Sequence, residues 1–177
     1  MGWESFVARG KIDEAFVGWM MTEKWGGHIE VSTWEEDVRS HVDIWWVADN
    51  GRRVGVDVKG LKRRSRSDFN VDDSITWLEF KNVYGENGSL YGAADYIAFR
   101  RLHSVVFVNR SKLADYAAAK VQGKPVSQIR PSAFWQLYNR RGRADVICMA
   151  PMSEIESVAK FILPNPKLIP VSLQVQM

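Results

Sequence analysis

Two stretches of this 177-residue chain place a lysine two residues after an acid: Asp57-Val58-Lys59 and Glu79-Phe80-Lys81. The first has the richer surroundings. Asp49-Asn50-Gly51 is a hairpin-turn signal between two β-branched and aromatic runs, residues 43–48 and 53–59. In the second run Val54, Val56 and Val58 alternate with Arg53, Gly55, Asp57 and Lys59. A valine face belongs on the core, so Asp57 and Lys59 are expected side by side on the opposite, accessible face. The turn folds Asp43, in the first run, back toward the far end of the second. Two carboxylates and a lysine suit metal-dependent cleavage of a phosphodiester. The carboxylates take Mg²⁺ through oxygen, with Mn²⁺ as a substitute. The ion polarises the phosphate and lowers the pKa of a bound water, while the lysine orients the nucleophile or stabilises developing charge.

The loop that follows is strongly cationic, with Lys59, Lys62, Arg63, Arg64 and Arg66 inside eight residues. The last four are candidates for neutralising phosphates, as are Arg140, Arg141 and Arg143. Charge is segregated along the chain as well. Residues 1–56 hold ten acids and six bases, whereas residues 96–144 hold ten bases and Asp115 as their one acid. Such asymmetry suits metal cations held beside a phosphate backbone. Tyr84 and Tyr91, with Gly85, Gly88 and Gly92, form a loop able to stack on bases or to serve as a plain surface turn. Glu79 and Lys81 also share a strand face. With Asp57 as the first acid they are the alternative catalytic pair, and if their strand neighbours the hairpin Glu79 joins the metal shell. Otherwise they form a cross-strand ion-pair ladder. His41, two residues before Asp43, reads as a structural histidine or a phosphate contact.

The elements that must position these groups follow from periodicity. Ile12, Ala15, Phe16, Trp19 and Met20 recur at helical spacing, so a helix is expected over residues 11–25, ended by Gly26-Gly27. An edge strand (28–32) and a polar connection (33–40) lead to the hairpin. A charged excursion (61–74), a strand (74–83), a glycine-rich loop (84–92) and a helix (93–100) come next. A buried strand at 104–108 precedes a helix capped by Ser111 and running to about Val121. A short helix (134–138), a last strand (144–149) and a helix from Ser153 to about Ile162 complete the expected elements. Pro164, Pro166 and Pro170 keep the C-terminal end extended. The expectation is one mixed α/β domain over residues 1–177, with a core at about 10–110 and a C-terminal α/β extension at about 111–177.

Composition narrows the class. The chain is 46% hydrophobic and 25% charged, which excludes disordered and fibrous classes. No apolar run approaches the roughly 20 residues of a membrane span, and the first residues carry no signal-peptide pattern. Cys148 is the single cysteine, so there is no internal disulfide and no cysteine-rich zinc site. A cytoplasmic protein is expected. Glycine-rich nucleotide loops and a Gly-x-Ser-x-Gly elbow are absent. Most of the eight tryptophans are expected in the core.

Asp43, followed across a hairpin by Asp57-Val58-Lys59 and preceded by an acid-bearing helix, resembles the PD-(D/E)XK nuclease superfamily. This is the restriction-endonuclease-like fold of restriction enzymes, resolvases of branched DNA and many phage nucleases. The resemblance covers roughly residues 10–110; Val42 replaces the family's proline, and Asp57 fills a position more often Glu. It implies a mixed β-sheet flanked by helices, with Asp43 and Asp57 as Mg²⁺ ligands and Lys59 as the catalytic lysine. It also implies a glutamate from the first helix, for which Glu14 is the best match and Asp13 and Glu23 are rivals. The activity implied is a magnesium-dependent DNA endonuclease. A chain this small, with no separate recognition domain, points to structure-selective or weakly sequence-selective cutting. A homodimer would supply two sites. A non-catalytic nucleic-acid-binding module on the same fold and an RNA nuclease are the alternatives.

Overall fold

The computed structural model describes residues 3–63 and 70–165, with side chains from Gly10 onward. Arg64, Arg66, Pro166 and Pro170 lie outside the described residues. Within them are four helices, and ten strands in two mixed sheets. Helix α1 (Trp3–Trp25) ends at Gly26 and Gly27, both in the left-handed region at φ +69° and +72°. A Cβ on Gly27 would overlap Val47 O, so only glycine lets the chain turn this close to the sheet. The inward face of α1 is Val17, Met20 and Met21, each no more than 5% exposed, while Ile12 is 60% exposed. The buried stripe is thus rotated from the expected one, and that rotation carries Asp13 and Glu14, one turn before Val17, toward the sheet.

Strand β1 (His28–Val31) is the expected edge strand. Residues 34–40 are not a connection but helix α2 (Trp34–Ser40), started by a reciprocal capping box between Thr33 and Glu36. The hairpin forms as expected, with β2 (Ile44–Val47) antiparallel to β3 (Arg53–Lys59) and Ile44 opposite Val56. Strand β4 (Ile75–Lys81) then leaves this sheet. Residues 93–100 contain no helix; β5 (Tyr96–Arg100) runs parallel to β3, with Asp57 opposite Ile97 and Lys59 opposite Phe99. The reason is burial: Ile97, Ala98 and Phe99 are all at most 2% exposed, covered on both faces as a central strand is.

Strand β6 (Ser104–Asn109) leads into α3 (Arg110–Val121). Asn109, not Ser111, is the cap: its Oδ1 accepts from Lys112 N at 3.2 Å and from the Ser111 hydroxyl at 2.7 Å. Two short strands follow, β7 (Val126–Ser127) and β8 (Leu137–Tyr138), the second where a helix was expected. Trp135, at φ +60°, is incompatible with that helix and seats its indole N–H on Glu154 at 3.2 Å. Strand β9 (Val146–Pro151), helix α4 (Met152–Ser157) and strand β10 (Phe161–Pro164) end the described chain. The expected helix to Ile162 is therefore cut short by a final edge strand.

The larger sheet runs β1-β2-β3-β5-β6-β10 and the smaller β4-β9-β8-β7. Residues after 111 are woven into both. One core, around Val17, Met20, Val56, Ala98 and Phe107, lies between α1 and the larger sheet. The other joins Ile97, Phe99, Val106 and Val108 on its opposite face to α3, α4 and the smaller sheet, through Leu78, Phe80, Cys148 and Ile155. Trp135 is core, whereas Trp34 is 75% exposed. No helix among the described residues is long and apolar enough to cross a membrane.

Candidate active site

The site begins where β2 starts. Asp43 N donates to Val56 O at 2.9 Å, and Asp43 Oδ2 accepts from Val58 N at 2.6 Å. The side chain thereby continues the β2–β3 ladder one step past Ile44 and lies alongside the Asp57-Val58-Lys59 segment. Asp57 and Lys59 point to the face opposite Val56, as alternation requires. That face is not open, however: Asp57 is 2% exposed. Ile75 and Thr76 of β4 and Phe99 of β5 line one cleft with Lys59, so the accessible face read from alternation is covered by the smaller sheet.

Lys59 Nζ is 2.6 Å from Asp57 Oδ1, while Asp57 Oδ2 is buried with no hydrogen-bond partner. Burial pushes the Asp57 carboxyl up to about 6; Lys59 opposes the shift and Asp43 adds to it. Burial alone would lower the Lys59 pKa, but Asp57, Asp43 and Glu79 together outweigh it and raise it. Lys59 is therefore a cation held among acids.

Other acids gather around this pair. Glu14, salt-bridged to Lys11 at 2.7 Å, has its pKa raised first by burial, with Asp43 and Asp37 adding to the rise. Its rivals on α1 are placed differently. Asp13 is paired with Arg100 and packed on Gly60, where a Cβ would overlap its carboxylate. Glu23 is exposed near the far end of the helix. Asp37, on α2, was not among the sequence candidates. Its pKa is raised by burial and then by Asp43, and its field also includes Lys59. The Thr33-x-x-Glu36 capping box was the signal that a helix, and hence Asp37, stands here.

Glu79 is half-buried on β4 and contributes to the field at Lys59, although its strand does not neighbour the hairpin. A bulge falls between Glu79 and Lys81 against β9, and Lys81 is exposed, so the two do not form a regular ladder. Lys62 is half-buried, with its pKa lowered by burial and then by Lys59. Arg140 is engaged with the fully buried Asp145, leaving Arg141 and Arg143 exposed on the same turn. His41, at φ +53°, ends α2, and its Nε2 bonds Asn87 O at 3.0 Å. That bond, with Ala93 N donating to Ser40 O at 2.7 Å, ties the loop after β4 to the corner that carries Asp37 and Asp43. Tyr91 packs on Phe80 at 6.4 Å between centroids, whereas Tyr84 is 79% exposed.

Among the described residues, no three His, Cys, Asp or Glu side chains converge in a group that could hold a metal ion. What the chain does present is a buried carboxylate with one orphaned oxygen, a second carboxylate within its field, and a lysine. No family model, curated protein or solved structure matches this chain.

Proposed function

We propose that this chain is a Mg²⁺-dependent nuclease of restriction-endonuclease-like fold, cutting DNA with structural or weak sequence selectivity. The observation that carries the reading is the Asp57–Lys59 pair, 2.6 Å apart on β3, beside an Asp43 carboxylate anchored to Val58 N. The parallel β5 next to a β2–β3 hairpin, with α1 packed on one face, supports the fold assignment.

Two of the carboxylates have the chemistry a divalent cation takes, although no third converges with them among the described residues. Asp43 and Asp57 offer carboxylate oxygens, which suit Mg²⁺ or Mn²⁺. Asp57 Oδ2, buried and without a hydrogen-bond partner, is an atom whose desolvation a cation would offset. Glu14 and Glu79 stand as outer carboxylates. When bound, the ion supplies positive charge that polarises the scissile phosphate. The chain's own residues do the rest. Asp57 Oδ1 orients the Lys59 ammonium, and the surrounding acids keep its proton on Nζ. Lys59 then offers that charge to the attacking water or to the negative charge that develops on the phosphate. The covering smaller sheet keeps the local dielectric low, which strengthens each of these interactions. A cytoplasmic protein of phage or mobile-element type, acting as a homodimer where both strands are cut, accords with the reading.

The test is cleavage of linear, supercoiled, single-stranded and four-way-junction DNA with Mg²⁺, Mn²⁺ or EDTA. Wild type is compared with Lys59→Ala and Lys81→Ala. Metal-dependent cutting that is lost in Lys59→Ala and kept in Lys81→Ala is expected. Loss only in Lys81→Ala would move the chemistry to Glu79, and absence of cutting on DNA and on RNA alike would sink the proposal.

A further inference from the structure

Strands β4 and β9 pair down to Lys81 opposite Val146, so the turn after β4 and the turn before β9 emerge at the same end of the smaller sheet. They are docked on each other. Ala144 N donates to Val83 O at 3.3 Å, and a Cβ on Gly85 would lie 3.2 Å from that of Ala144. The first turn is closed by its own hydrogen bonds: Asn82 Oδ1 accepts from Tyr84 N at 3.0 Å and from Glu86 N at 3.1 Å, with Gly85 at φ +85°. The second is closed likewise, with Arg140 paired to buried Asp145 and Asn139 Nδ2 donating to Arg143 O at 2.7 Å. At the tips stand Tyr84, 79% exposed, and the exposed Arg141 and Arg143, with exposed Lys81 at the base. An exposed aromatic ring on a turn docked against one that carries two exposed arginines, with an exposed lysine at the base, matches what an unpaired nucleic acid strand requires: a face for base stacking and charge for its phosphates.

We infer that the paired turns 82–86 and 139–144 form a platform for single-stranded nucleic acid, with Tyr84 stacking a base and Arg141 and Arg143 contacting adjacent phosphates. A duplex offers stacked, inaccessible base faces and would use only the cations. Tyr84 lies five residues past Glu79, no more than about 18 Å of chain, and Glu79 is on β4, the strand whose Ile75 and Thr76 line a cleft with Lys59. The inference rests on the nuclease reading where it names the substrate: nucleic acid with an unpaired segment adjoining the cleaved bond.

Binding is measured in EDTA, where no cutting occurs, by fluorescence anisotropy. The probes are fluorescein-labelled oligo(dT) and oligo(rU) of about 15 nucleotides and a duplex of equal length. Tyr84→Ala is expected to weaken single-strand binding about tenfold, Tyr84→Trp to restore it, and neither to change duplex binding. Arg141→Ala with Arg143→Ala should reduce the salt slope for the single strand by roughly 1.4. Unchanged single-strand affinity in Tyr84→Ala, or an equal loss on duplex, would overturn the platform. Lys59→Ala separates the two ideas. If it abolishes cutting while Tyr84→Ala binds normally, the platform alone fails; if nothing cuts but Tyr84→Ala loses the strand, the nuclease reading alone fails.

Discussion

Asp43 completes a β-ladder with its side chain: its Oδ2 takes the Val58 N–H at 2.6 Å, the position a backbone carbonyl would otherwise fill. The same carboxylate raises the pKa of both Asp57 and Asp37. It therefore joins the geometry of the hairpin to the electrostatics of the site, and the two roles are separable.

Asp43→Asn retains an oxygen for the Val58 N–H and removes the charge, so it should stay within about 1 kcal/mol of wild type. Asp43→Ala leaves that N–H without its partner and should lose about 1–3 kcal/mol. Urea denaturation distinguishes them, and on the nuclease reading both abolish cutting.

The Asp57 carboxyl is raised to about 6 by burial, above its ordinary value of 3.8. Its contribution to stability is complete below about pH 4, where it is protonated folded or unfolded. That contribution is lost as pH rises through about 6 and the buried group ionises. Asp57→Asn should abolish this fall, by an amount on the order of 3 kcal/mol. Melting temperatures from pH 4 to 8 read it directly. Added Mg²⁺ near pH 7.5 should stabilise wild type and leave Asp57→Asn unmoved.

Removing Lys59 strands a buried charge. With Asp57 only 3% exposed at its side chain and Lys59 its ion-pair partner, Lys59→Ala should cost about 3–5 kcal/mol at neutral pH. The double variant Asp57→Asn with Lys59→Ala should recover much of that loss. A thermodynamic cycle by chemical denaturation would show strong coupling; additive effects would mean the pair is not formed in solution.

Cys148 is fully buried in the second core, and burial pushes its thiol up to about 12. Thiol reagents such as DTNB should therefore label the native protein only as fast as it opens, and label it at once in denaturant. Rapid labelling under native conditions would contradict the placement of β9 between β4 and β8.

What the sequence determined by itself is the hairpin and the charged groups it carries. The Asp49-Asn50-Gly51 turn and the valine alternation are local signals, and together they set Asp43 near Asp57 and Lys59 with no help from the rest of the chain. Tertiary structure decided what covers that strand, because burial depends on partners distant in sequence. Residues 75–81, paired with residues 146–151 in the smaller sheet, turn the expected open face into a covered one. Residues 96–100 are a strand because both their faces are buried, which no local period announces. Asp37 and Glu14 reach the site through a capped short helix and a rotated helix face. Arg140 is held in an ion pair by an aspartate that only the fold buries. Local propensity settles turns and alternation; the free energy of burial, summed over remote contacts, settles which charged side chains are enclosed and which stay exposed.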